Sequence, residues 1–203
     1  MQPWKDIAHT IRHFVRSPHQ IGTIIPSSRF LARKMIGCMN AQSATCIVEL
    51  GAGTGSITSE VLRQAGPQTK VLIIDVNADA VRLLKERLSQ SKNVEIIHAD
   101  ARHLEKILGE RGIDGVEAIV SSLPFTSLSN EMTDEILSTA ARVLRADGHF
   151  VAFQYTTVLG RKFADFFQIR SKKLEFRNIP PAIIYDCISK KKADVRGIAR
   201  MSA

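Results

Sequence analysis

Eight residues, Val48-Glu49-Leu50-Gly51-Ala52-Gly53-Thr54-Gly55, constrain this chain more than any other stretch. An apolar run from Cys46 to Leu50 meets three glycines at alternate positions, and a helical pattern begins at Ser56. This predicts a buried strand, a tight loop and a helix start. Glycine admits positive φ and lets a ligand approach the main chain with no Cβ in the way, so the loop suits a nucleotide-like guest. The spacing is G-x-G-x-G rather than the G-x-G-x-x-G of dinucleotide binders, and no Lys follows as in a phosphate-cradling loop. Glu49, just ahead of the loop, would repel a pyrophosphate and tolerate a cation.

Downstream, short apolar runs alternate with helical patterns. Val71 to Ile74 predicts a strand ending at Asp75, and Asn77 a cap for the helix whose face is Ala80, Val81, Leu84 and Leu88. Val94 to Ile97 predicts a third strand, Val116 to Val120 a fourth and Phe150 to Phe153 a fifth. A helix from Asn130 or Thr133 to Leu144 is expected before the fifth, with Gly148 as the break. Such alternation predicts βαβ units and a mostly parallel sheet of the Rossmann-like α/β type. Val158 to Ile169 reads as a helix, and Lys172 to Arg177 and Ile183 to Ile188 as an antiparallel hairpin around Asn178-Ile179-Pro180-Pro181. Ligands of parallel sheets bind outside the carboxyl ends of the strands, where Gly51 to Gly55, Asp75, Asp100 and Ser121 all fall. About twenty residues beyond the loop, the Asp75 carboxylate suits a bidentate grip on ribose hydroxyls. Asp100 is expected either to accept from an adenine amino group or to cap a helix.

A chain of 203 residues with 44% hydrophobic content suits one core, hence a single domain. Within it, residues 1–40 would form an N-terminal helix and a covering segment, 41–189 the α/β core and 190–203 a basic tail. No run approaches the ~18 apolar residues of a membrane span, and no signal-peptide core is evident, so a cytoplasmic protein is expected. Cys38, Cys46 and Cys187 lack metal-ligand spacing, so no metal site is expected. The net charge of +8 is uneven: residues 1–36 carry six Lys/Arg against one acid, and 157–203 carry eleven against four. Basic ends around an acidic centre point to an anionic partner, either phospholipid head groups or nucleic acid. Trp4, Ile7, Ala8, Ile11, Phe14 and Val15 recur at helical spacing beside Lys5, Arg12 and Arg16, as in a helix that packs on the domain or lies in a membrane interface.

After the fourth strand comes Ser121-Ser122-Leu123-Pro124-Phe125. Here Pro124 would hold the backbone extended, carbonyls of Ser121 to Leu123 would orient an acceptor amine, and Phe125 would offer an apolar or stacking surface. Tyr155 is a candidate for a proton acceptor. The glycine loop looks like motif I of the class I S-adenosylmethionine-dependent methyltransferases. Together with Gly22 to Arg33 and its Pro26-Ser27-Ser28, Ser121 to Pro124 and the late Arg177 to Ala182, it makes the whole chain resemble the bacterial phospholipid N-methyltransferases of the soluble, membrane-associating type, such as those acting on phosphatidylethanolamine.

That resemblance implies a seven-stranded class I methyltransferase fold with a C-terminal antiparallel hairpin and N-terminal helices. It implies S-adenosyl-L-methionine as cofactor, held by Glu49, Gly51, Ala52, Gly53 and Gly55 in the loop, by Asp75 and Val76, by Asp100 and Ala101, and by Ser121. Ile24, Ser27 and Ser28 would cover the cleft. The implied activity is methylation of a phospholipid amine by an enzyme peripheral on the inner face of the cytoplasmic membrane. Ser122 stands where Gly is expected in the family's Ser-Gly-Leu-Pro, narrowing the space beside the acceptor. The rRNA adenine dimethyltransferases share the fold but use Asn-Leu-Pro-Tyr at this loop, and Ser121 or Ser122 lacks the bidentate amide of that Asn. A nucleic-acid methyltransferase is therefore the second expectation, and a non-catalytic membrane-binding protein on the same fold the third.

Overall fold

The computed structural model describes residues 28–191. The expected helix from Trp4 to Val15, the segment with Ile24, Pro26 and Ser27, and residues 192–203 of the tail lie outside the described residues.

Seven strands form one sheet: β1 (Cys46–Leu50), β2 (Lys70–Asp75), β3 (Val94–His98), β4 (Val116–Ser121), β5 (Leu144–Gln154), β6 (Phe167–Glu175) and β7 (Ala182–Ser189). Their order is β3-β2-β1-β4-β5-β7-β6. The first five run parallel, and β7 pairs antiparallel with both β5 and β6. The direction of the chain reverses between β1 and β4, which is the switch point where such sheets open a ligand crevice.

Helices cover both faces, as the fully buried pattern of β1 requires. On one face lie α1 (Arg29–Ile36), α2 (Ser56–Gln64) and α3 (Ala78–Arg87), which supply Leu31, Met35, Ile57, Val61 and Leu84 to a cluster with Ile47 and Ile73. On the other lie α4 (Leu104–Gly109), α5 (Asn130–Val143) and α6 (Gly160–Phe166). That second core is aromatic towards β5 and β7: Phe150 stacks on Phe167 at 4.6 Å between centroids, and Phe163 meets Tyr185 edge-on at 5.1 Å. Caps follow the sequence, since Ser28 accepts from Leu31 N, Asn77 from Asp79 N and Ala80 N, and Ser129 from Met132 N.

Two boundaries differ from expectation. Gly148 does not break α5; the helix ends at Val143, the chain passes directly into β5, and Gly148 lies within that strand. The expected helix over Val158 to Ile169 stops at Phe166, because Phe167 turns inward to stack on Phe150 and the chain becomes the edge strand β6. Tertiary packing overrides the helical spacing there.

Candidate active site

The glycine loop turns over the end of β1, and Gly51, Gly53 and Gly55 all take positive φ, at 78°, 51° and 78°. They serve two purposes. A Cβ on Gly51 would lie 2.9 Å from Leu123 Cδ2, and one on Gly55 would collide with Leu84 and Arg87, so those two positions are closed by packing. Around a Cβ on Gly53 nothing lies within 4 Å, which leaves room above the middle of the loop.

The loop is held from several sides. Gly51 N donates to Ile74 O at 2.9 Å, and Gly53 N to Asp75 Oδ2 at 2.9 Å. Arg87, in the last turn of α3, donates to Thr54 O at 3.3 Å. The other Asp75 oxygen accepts from Asn77 N at 2.8 Å. Asp75 is 8% exposed, and each of its oxygens has a second lone-pair site for a hydroxyl. Val76 beside it is exposed, while Ala52 and Ala101 are buried.

Glu49 is fully buried on the α1–α2 side of the sheet, with neither carboxylate oxygen hydrogen-bonded. The Thr58 hydroxyl is likewise buried and unpaired. Burial pushes the Glu49 carboxyl up to about 7, Thr58 nearby pulls it part of the way back, and the Asp75 charge adds to the rise. An orphaned carboxylate at a strand end is costly, and a cationic ligand over the loop would relieve it.

The expected acceptor loop, Ser121 to Phe125, packs directly on the glycine loop: Ser122 N donates to Leu50 O at 2.9 Å and the Leu123 side chain lies against Gly51. Ser121 is buried, and its Oγ accepts from Leu123 N at 3.3 Å. Here several expectations are corrected. Leu123 O already accepts from Phe125 N at 2.9 Å and from Gln154 Nε2 at 3.2 Å, so both lone pairs are used. Pro124, at ψ 67°, is not extended; its carbonyl accepts from Ser127 N and opens a 3-10 turn. Among the expected carbonyls, none of these bonds falls on that of Ser122. Phe125 is 2% exposed and sits edge-on to Phe163 in the core, so it offers no open stacking face.

Tyr155 also fits its assigned role poorly. Burial raises its phenol above the usual value despite a hydrogen bond from Asn178, so it stays protonated near neutrality and is not a base for an amine proton. Asp100 is the cap: Arg102 N donates to Oδ1 at 2.8 Å, and the Arg102 guanidinium holds the carboxyl below its ordinary range. A contact to adenine would have to share those oxygens. Ser28 lies at the start of α1, its amide donating to Asn178 Oδ1 at 3.0 Å, which ties the described start of the chain to the β6–β7 turn. Ile24 and Ser27 fall outside the described residues.

Sequence reasoning missed Gln154 and Arg87 and read Asn178 only as part of the hairpin turn; each is a polar side chain that restrains a segment from another element. The one signal for Gln154 was a polar residue closing an apolar strand. His149 also has a carboxylate partner that spacing did not reveal, Asp186 at 3.0 Å across β5 and β7. That pair sits within the sheet, away from the carboxyl ends, and has no reach to the site. The three cysteines are buried free thiols, with Cys46 and Cys187 pushed by burial up to about 11 and about 12. Among the described residues no cluster of three or more His, Cys, Asp or Glu is placed to hold a metal.

A family model described as a methyltransferase domain matches residues 47–148, the span from β1 into β5 that contains the glycine loop, Asp75, Asp100 and the acceptor loop. The chain belongs to the methyltransferase-domain family. It is a class I methyltransferase that uses S-adenosylmethionine. This methyltransferase is 32% identical over 190 residues, 93% of its own length and 99% of the relative's, to an ornithine lipid N-methyltransferase of Singulisphaera acidiphila. It is 29% identical to a ribosomal RNA small subunit methyltransferase H of Clostridium botulinum, over 48% of this chain and only 31% of that protein. Among solved structures, the methyltransferase is similar to the N-methyltransferase NodS from Bradyrhizobium japonicum WM9 in complex with S-adenosylhomocysteine. The TM-score is 0.66 and the identity 11%, covering 82% of this chain and 89% of that one. At that identity the likeness concerns the fold.

Proposed function

We propose that this methyltransferase transfers a methyl group to the amine of a membrane lipid head group, at the cytoplasmic face of the membrane. The observation that carries the reading is the near full-length similarity to an ornithine lipid N-methyltransferase, which takes in the hairpin and α1 as well as the shared core. The RNA methyltransferase similarity covers about half of the chain. Between lipid acceptors, this relative favours an ornithine-type amine, with phosphatidylethanolamine as the second candidate.

The bound cofactor would supply an electrophilic methyl on a sulfonium. Glu49 would hold its positive charge, the space at Gly53 its approach to the backbone, and the free lone pairs of Asp75 its ribose. The acceptor loop, pinned by Gln154 and by Leu50 O, would position the amine. Fixing two reacting groups at the right separation can account for most of such a rate enhancement. The amine must arrive neutral although an alkyl ammonium has a pKa on the order of 10, and a desolvated approach would lower it. Neither Tyr155 nor His149 is suited to take that proton, so its release to water as the amine is desolvated on entering the site is the simplest route.

Labelled S-adenosylmethionine offered with vesicles containing ornithine lipid, vesicles containing phosphatidylethanolamine, or bulk ribosomal RNA tests this. Label in a lipid is the expected result, and label recovered only in RNA would overturn it.

A further inference from the structure

The β6–β7 hairpin carries, at its tip, apolar side chains that the core does not use. Phe176 and Ile179 are 72% and 74% exposed, and Leu174 just below them is 50% exposed. Strand register fixes where this tip lies. β5 runs parallel to β4 and antiparallel to β7, placing Gln154 beside Ile183, and β7 meets β6 at Ala182 and Glu175. The turn over residues 176–181 therefore lies at the carboxyl end of the sheet, on the same edge as the glycine loop and the acceptor loop.

The turn is built, not loose. Asn178 is 3% exposed; its Oδ1 accepts from Ser28 N and its Nδ2 donates to Pro180 O at 2.8 Å. Arg177 lies 4.2 Å above the Phe30 ring and donates to buried Glu175 at 2.9 Å. Polar neighbours are tied inward while Phe176 and Ile179 are held outward.

Cations flank the tip. Arg29 is exposed beside Phe30, and Lys172 is exposed on β6 with its ammonium 5.6 Å from the Tyr185 ring centroid, while the single acid of β6, Glu175, is buried and neutralised by Arg177. Arg29 occupies the first turn of α1, where the helix dipole disfavours a positive charge, and its guanidinium lies 5.2 Å from the Phe30 ring centroid. Lysines along an edge strand guard against aggregation, but exposed Phe and Ile at its end would work against that purpose.

We propose that the β6–β7 tip docks on an anionic bilayer, with Phe176 and Ile179 entering the interfacial region and Arg29 and Lys172 meeting lipid phosphates. Apolar area gives such contacts their depth, and the basic residues give them their preference for anionic lipid. Docking this edge would bring the acceptor loop to the surface where a lipid amine is found. The proposal rests on the lipid-amine reading for its purpose, but its test does not depend on methyl transfer.

Co-sedimentation with phosphatidylglycerol–phosphatidylcholine vesicles, using the full chain, is the first measurement. Phe176→Ser with Ile179→Ser should lower vesicle partitioning on the order of tenfold or more. Thermal stability and S-adenosylhomocysteine affinity should not change, since both side chains are exposed. In a second measurement, Ile179→Trp is made in a Trp4→Phe background, which removes the chain's one native indole. Its fluorescence should shift to the blue on vesicles and be quenched by brominated lipid. Wild-type protein that fails to sediment, a double variant that partitions as well as wild type, or an indole that neither shifts nor is quenched would each overturn the proposal. If the double variant leaves the vesicles yet wild type methylates no lipid, docking stands and the acceptor assignment falls. If wild type methylates lipid and the double variant still docks, docking at this tip alone falls.

Discussion

The Gly53 amide donates to Asp75 Oδ2 at 2.9 Å, tying the middle of the glycine loop to the end of the neighbouring strand. One carboxylate thus shapes the loop and keeps lone pairs for a ribose. Asp75→Ala should therefore weaken S-adenosylhomocysteine binding by more than the ribose contact alone. A hydrogen bond to a charged group contributes about 1.5–3 kcal/mol, so a loss on the order of 10- to 100-fold is expected by calorimetry. Unchanged affinity would remove Asp75 from the site.

Glu49 should give the protein a pH signature. Its carboxyl lies at about 7 when folded against an ordinary 4.5, so between these values the folded state holds a proton that the unfolded state has lost. Stability without cofactor should fall as pH rises from about 4.5 to about 7 and level off above. Glu49→Gln should flatten that slope in pH-dependent thermal melts. Because a cation favours the ionised form, S-adenosylmethionine binding near pH 7 should release a proton, seen as a buffer-dependent binding enthalpy that the variant lacks.

Two glycines of one loop should respond differently to the same change. Gly53→Ala meets open space and bears chiefly the left-handed backbone cost, about 1–2 kcal/mol, while its methyl intrudes on the cofactor's room. Gly55→Ala must displace Arg87 and Leu84. The first should lose more cofactor affinity than melting temperature, and the second should lose melting temperature even without cofactor. Equal effects on both readouts would contradict this division.

Gln154 is 4% exposed and bonds Leu123 O from the end of β5. Gln154→Leu should leave that carbonyl with one partner and the acceptor loop less restrained. The expected result is a fall in kcat of roughly tenfold, as about 1 kcal/mol of a buried hydrogen bond and its positioning are lost. Cofactor affinity should hold, and a matching fall in it would place Gln154 in the cofactor site instead.

Much of this fold was legible because each core strand is a short apolar run closed by a polar or glycine residue. Cys46 to Leu50, Val71 to Ile74 and Val116 to Val120 all fall within observed strands. The last third was read less well: Phe167 to Ile169 fits a helical pattern as well as a strand, and only the stack of Phe167 on Phe150 decides between them. In the acceptor loop, residue types alone suggested exposed carbonyls and an exposed ring. The partners that turn them inward, Gln154 and Phe163, come from distant parts of the chain.

By itself the sequence determined the glycine loop, the polar residues at the strand ends and the order of strands and helices, because backbone freedom and hydrophobic period are local properties. The tertiary structure decided which oxygens are left over. Glu49 is orphaned, Asp75 is half engaged, Leu123 O is saturated and Asp100 is capped. Hydrogen-bond partners belong to the packed chain, and no residue carries them alone.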